Sequence, residues 1–232
     1  PLRLVKEPED LRVTWNGKAV APHKGEGGWL ELGRQGAAAD VALKTPTLCG
    51  PIREVFAGPF VLVYDGERGG DSFRSAMQAG ADWLRFAQGV PALLPADAIS
   101  PEMMERYKLV LFGTPEQNGL VARIAPELPI GLGGGKYVVG EHTYEASRYG
   151  LSMIYPNPLA PERYVVINAG TPWGAGLAVN HKYDMLPDFI IFTDETSDDG
   201  TDSNEFACAG FFDQRWRLSR ASTWYAADPQ ER

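Results

Sequence analysis

The chain has 232 residues, 44% of them hydrophobic and 11% aromatic, with 26 Gly, 18 Pro, 2 Cys and a formal net charge of −8. A chain of this length buries roughly 70% of its unfolded surface, so it needs no disulfide or metal to fold, and it is sized for one or two domains. An acidic pI near 5.0 argues against a nucleic-acid binder, and no apolar run approaches the about 18 residues that a membrane-spanning helix needs.

Residues 1–50 read as a small β-rich unit. Leu11–Trp15 alternates as a strand and runs into Asn16-Gly17, a pair that tolerates the positive φ angles of a tight hairpin. Trp29–Gly33 and Ala39–Leu43 are two further strand candidates. From residue 51 to 232 the pattern changes. Phe60–Tyr64, Leu109–Phe112, Tyr164–Ile167 and Phe189–Phe192 are short, nearly continuous apolar runs, as expected of strands buried on both faces of a parallel sheet.

Helices fall between these runs. Ser72–Gln88 places Phe73, Ala76, Met77, Gly80, Leu84 and Ala87 at helical spacing, with Gly89 as the stop. Ser100 caps a helix from Pro101 to Tyr107. Thr114-Pro115-Glu116-Gln117 has the form of a capping box that opens a helix to about Ala125. Lys136–Gly140 and His142–Ala146 read as an inserted hairpin, and Phe206–Leu218 as a strand or a docked segment. The expected fold is α/β: a doubly wound, mostly parallel, flavodoxin- or Rossmann-like sheet with the N-terminal β unit and the hairpin added.

In such a sheet, ligands bind outside the carboxyl ends of the strands. Asp65, Thr114, Asn168 and Asp194 follow the four apolar runs, and with Asn157 they form the candidate ligand-binding set. The competing reading is that polar residues follow any buried strand because the chain turns there at the surface. Gly131–Lys136 is not a P-loop, because Tyr137 stands where the Ser or Thr is required. There is no Gly-x-Ser-x-Gly elbow, so no catalytic residue is assigned, and His142 and His181 are weighed as bases or as hydrogen-bonded structural histidines. Asp194–Glu205 holds six acids and no basic residue. Asp198, Asp199 and Asp202 offer oxygen ligands of the kind Ca²⁺ takes, outside the EF-hand register; the alternative is a solvated acidic loop and no cofactor. Cys49 and Cys208 read as two buried free thiols or as one long-range disulfide.

Several stretches together resemble a known family. They are Gly50-Pro51-Ile52, Leu109–Pro115 with Asn118, Leu128-Pro129-Ile130, Tyr155–Leu159, Arg163–Gly170, Leu186–Phe189 and Gly210–Asp213 with Trp216. This pattern is similar to the C-terminal extension of large bacterial α/β-hydrolases of the prolyl-oligopeptidase type. The resemblance implies a non-catalytic accessory domain of a serine peptidase or esterase, packed on a catalytic α/β-hydrolase domain of the same or a cleaved chain. It also implies a secreted or periplasmic setting and is compatible with a homo-oligomer. The family's Ser, Asp and His lie in a preceding domain, and none maps onto a residue here. The Pro1 start agrees with a piece of a longer protein. The alternative is a stand-alone enzyme or small-ligand-binding protein with its site at the strand ends.

Overall fold

The structure is a computed structural model and describes residues 2–4, 12–15, 17–24, 30–32, 43–174, 177, 182–196 and 203–226. The chain divides into two compact units, residues 1–41 and 42–232. Strands β1 (Leu2–Leu4), β2 (Val13–Trp15), β3 (Lys18–Val20), β4 (His23–Lys24) and β5 (Leu30–Leu32) belong to the first unit. They form a β1-β5-β4 antiparallel sheet and a separate β2-β3 pair, in which Trp15 pairs with Lys18. Of the Ala39–Leu43 strand candidate only Leu43 is described, and it is not in a strand.

The second unit is built on one eight-stranded sheet. Its elements in chain order are β6 (Phe60–Tyr64), α1 (Asp71–Ala87), β7 (Ala92–Pro95), α2 (Pro101–Arg106), β8 (Lys108–Phe112) and α3 (Gly119–Ile124). Then come β9 (Gly131–Gly133), β10 (Lys136–Val139), β11 (His142–Glu145), β12 (Gly150–Asn157), β13 (Ala160–Gly170), β14 (Phe189–Thr196), β15 (Asn204–Gly210) and β16 (Thr223–Tyr225). The sheet order is β16-β15-β14-β12-β13-β8-β6-β7. The β7-β6-β8-β13 part is parallel, and every pairing from β13 to β16 is antiparallel. This is a mixed α/β architecture. The four apolar runs all lie in it as β6, β8, β13 and β14. β14 is antiparallel to β12, which is antiparallel to β13, so all four run the same way.

β12 and β7 are additions to the sequence reading. β12 is a central strand buried on both faces, yet it carries Gly150, Ser152, Pro156 and Asn157, which break the apolar signal of a buried strand. Gly150 is required there, because a Cβ would come within 2.4 Å of the Phe192 ring and of the Thr171 carbonyl. The expected hairpin is a three-stranded antiparallel sheet, β9-β10-β11, with the Gly-rich segment as its first strand and turn.

The helices also correct the sequence reading in detail. In α1, Ser72 and Ala76 face the core while Met77 and Leu84 are 48% and 46% exposed, so the buried face is rotated from the one the apolar residues define. Small side chains let the helix approach the sheet closely, which explains the choice of face. Gln88, not Gly89, takes the left-handed C-cap position. The capping box forms by half: Gln117 Oε1 accepts the Thr114 N–H at 3.0 Å. The helix itself starts later, at Gly119, because Asn118 Oδ1 accepts the Leu120 and Val121 N–H groups. Among the described residues no helix is long and apolar enough to cross a membrane.

The segment 43–50 is part of the second unit. Leu48 joins its core, the Gly50 N–H donates to Tyr164 Oη at 2.9 Å, and Lys44 Nζ reaches the fully buried Asp188 carboxylate at 2.6 Å. The Phe212 N–H donates to the same carboxylate oxygen at 2.9 Å. Burial raises the Asp188 pKa despite Lys44. Gly50 has a φ of +74°, and a Cβ there would lie 1.9 Å from Asp188 Oδ1. Gly50→Ala is therefore expected to cost about 3 kcal/mol or more, through backbone strain and a displaced buried carboxylate. Urea denaturation of the variant measures this, and a loss below about 1 kcal/mol contradicts it.

Both cysteines are free; Cys208 is buried and Cys49 exposed, so one of the two expected buried thiols lies at the surface. Burial pushes the Cys208 thiol up to about 11. A disulfide-exchange reagent at pH 8 is expected to modify Cys49 in the native chain and Cys208 only after unfolding, as read by mass spectrometry.

Candidate functional site

The carboxyl ends of β6 and β8 are adjacent, and the structure brings Asp65 and Thr114 together there. The Asp65 N–H donates to Ser72 Oγ at 3.0 Å, and that hydroxyl donates to the Phe112 carbonyl at 2.7 Å. Asn118 Nδ2 donates to the same carbonyl at 3.0 Å. The Asp65 carboxylate accepts the Gly66 N–H through Oδ1 and the Gly119 N–H through Oδ2, both at 2.7 Å. The crevice between the two strands is thus bridged by the chain's own carboxylate. Thr114 is engaged in the same turn: its hydroxyl bonds to Glu116, which also accepts the Gly134 N–H at 2.7 Å. These two bonds hold the Glu116 carboxyl below its ordinary range and tie the turn to the β9–β10 turn.

The other expected site residues are placed as follows. Asn168 lies near the end of β13, paired with Ser152 and Phe112, and is half-buried beside this edge. Asp194 is exposed on β14, past Phe192, the residue that pairs with the first residue of β12. Asn157 does not join them. It ends β12, which runs the opposite way, and pairs with Ala160 at the start of β13, so it sits at the opposite edge of the sheet. There it is buried, and its Oδ1 accepts the Leu159 N–H at 3.0 Å as a turn residue. His142 is on β11 and stacks on Tyr225 with ring centroids 4.1 Å apart. His181, Asp198, Asp199 and Asp202 lie outside the described residues. Among the described residues no group of three or more His, Cys, Asp or Glu side chains is placed to hold a metal.

A concave site lies next to this edge, and the sequence reading did not name it. A groove of about 630 Å³ opens between one face of α1 and the segment that follows β13. Asp71, Arg74, Gln78, Asp82 and Arg85 line it from α1; Trp173 and Lys182 line it from the other side. A smaller recess adjoins it and reaches Phe112 and Asn168 on the sheet. The spacing 71, 74, 78, 82 and 85 is itself a helical stripe, and that stripe of polar residues was the available signal.

The groove is held in shape by a buried ion pair. Lys182 Nζ donates to Asp82 Oδ2 at 2.9 Å, with side chains only 4% and 5% exposed. Gln78 Nε2 donates to Asp82 Oδ1 at 2.9 Å, and Trp173 Nε1 donates to the Lys182 carbonyl at 2.7 Å. Tyr183 packs on Phe56, which stacks on Trp83 of α1. Burial, with the Asp82 charge nearby, raises the Tyr183 pKa, so the phenol stays neutral.

In comparisons with known proteins, no family model matches the chain, and no curated protein or solved structure is significantly similar to it. The likeness to hydrolase extensions therefore rests on the quoted motifs alone.

Taking one partner from a buried pair leaves an uncompensated charge. Asp82→Ala is expected to cost about 3–5 kcal/mol, whereas the double variant Asp82→Leu with Lys182→Met loses much less. Denaturant midpoints of the three chains check this; equal losses in the single and double variants contradict it.

Proposed function

We propose that this chain is a non-catalytic α/β domain that binds a small polar molecule in the groove beside α1. The observation that carries the reading is a charged groove that opens at the carboxyl edge of the parallel strands, beside Asp71 and Gly170, and runs along α1 towards their amino ends. Small-molecule sites occupy about 300–1,000 Å³ and collect at such edges. The groove's volume of about 630 Å³ falls in that range. The polar groups at the β6 and β8 ends serve the fold: Asp65 accepts the N–H groups of Gly66 in its own turn and of Gly119 after β8, and Thr114 bonds to Glu116 in its turn.

The finer fold assignment belongs to the same proposal. The chain passes from β6 through α1 to β7 on one side, then crosses back through α2 to β8 on the other side of β6. Right-handed crossovers place successive helices on opposite faces when the direction reverses like this. α1 packs on β6, β7 and β8, whereas α2 packs on β13. These features support a doubly wound sheet whose switch point lies between β6 and β8, at Asp65.

The second part of the proposal is that the domain serves a larger serine hydrolase. The family-like stretches support it in a specific way. Gly50, Tyr164, Asp188 and Phe212 come from four of them and meet in one buried cluster. Motifs that converge on a core specify a fold rather than a reaction, as suits an accessory domain.

Two measurements test the two parts. In a fragment screen by heteronuclear NMR, hits are expected to shift the Trp173 indole and the Gln78 amide signals. Hits confined to other surfaces overturn the binding reading. For the partner, the tagged chain recovered from its source cells is expected to bring down a protein labelled by a fluorophosphonate probe. Recovery without any labelled hydrolase overturns the accessory role.

A further inference from the structure

We infer that the groove's ligand carries an acidic group, a carboxylate or a phosphate, and that Arg85 receives it; this rests on the binding reading above. The argument is a charge balance along one wall. At one end, Arg74 is paired with Asp71 and also donates to the Gly69 carbonyl. That exposed pair is neutral. At the other end a single carboxylate, Asp82, stands between two cations. Lys182 takes Oδ2 at 2.9 Å, and Gln78 takes Oδ1 at 2.9 Å. Arg85 only approaches Oδ1, at 4.0 Å.

Among the described residues, the Arg85–Asp82–Lys182 group therefore carries a net charge of +1. It does so on the concave face of a chain whose overall charge is −8. Concave walls focus such a field, so a local reversal of sign selects for an incoming anion. Arg85 is also the accessible member. Its side chain is 69% exposed, whereas Lys182 is 4% exposed and committed to Asp82. A guanidinium presents a planar fork of donors that fits carboxylate or phosphate oxygens in pairs. An acidic group there completes an alternation of charge: anion, Arg85, Asp82, Lys182.

The same wall orients the ligand. Asp71 lies 14 positions from Arg85, roughly 21 Å along the helix, so this exposed acid of the wall does not repel a group bound at Arg85. The body of the molecule extends from Arg85 towards Trp173, whose ring lines the facing wall.

The test uses the native chain with three probes of one shape: benzoate, phenyl phosphate and benzamide. Binding is followed by the Trp173 indole and groove amide signals in heteronuclear NMR, at low and high salt. At least one of the two acids is expected to bind there more tightly than benzamide and to weaken as salt rises. The comparison of benzoate with phenyl phosphate tells which acid is preferred. Arg85→Gln is expected to weaken that acid about tenfold or more, as loss of a charge-assisted contact does, while the melting temperature stays put because the side chain is exposed. If benzamide binds the groove as well as either acid, the acidic-ligand inference is overturned and the binding reading stands. If the acid binds but Arg85→Gln leaves its affinity unchanged, the assignment to Arg85 is overturned. If no probe moves the groove signals, while fragments of other chemistry do, the inference fails alone; if nothing moves them, both readings fail.

Discussion

β13 and β14 run in the same direction with β12 between them, so the chain leaving β13 at one edge of the sheet must return to the other edge before β14 can start. That return path makes the groove. Its described residues are held to α1 and to the core by a small set of side chains. Lys182 reaches Asp82 on α1, Trp173 holds the Lys182 carbonyl, and Tyr183 packs on Phe56. A buried Lys–Asp pair costs desolvation on both sides, and its attraction offsets this only when the geometry is good and the remaining lone pairs are bonded. Gln78 supplies the bond to the second Asp82 oxygen. The pair thus ties the returning chain to α1 at one buried point.

A second buried carboxylate performs a similar service at the start of β14. Asp188 is the residue before β14, fully buried, and it gathers Lys44, the Phe212 N–H and the backbone of Gly50. Three distant stretches of sequence are brought to one point. The close approach of Gly50 to the carboxylate leaves no room for a Cβ, which is why a glycine stands there. Lys182 and Asp188 both belong to the last part of the β13–β14 connection, so the two acids fix how it reaches the start of β14.

Much of the fold was legible in the sequence. The four apolar runs are strands because continuous β-branched and aromatic residues suit burial on both faces, and three of them are consecutive in the sheet, β6-β8-β13. β12 was not legible. Its burial arises from its neighbours, and Gly150 is there to admit Phe192, so its composition reads as a turn while its position is central. The site was legible only in part. Asp65 and Thr114 follow, and Asn168 lies near the end of, strands that point to one edge, but the first two close the crevice between β6 and β8 with bonds to the chain's own backbone and side chains. Asn157 belongs to the same candidate set. Its strand runs the other way, and strand direction is not a property of a six-residue window.

The sequence by itself determined the class of fold, the positions of four of the buried strands, and the absence of a nucleophile elbow from this chain. These depend on local pattern: burial on two faces demands continuous apolar residues, and an elbow demands a fixed spacing of Gly and Ser. Only the tertiary structure decided the order of the strands, the rotated face of α1 and the pairing of Asp82 with Lys182. Those two residues are 100 positions apart, and each alone reads as an ordinary surface charge. Their meeting depends on where the return path from β13 crosses α1, and that path follows from the placement of β12, which local pattern does not encode.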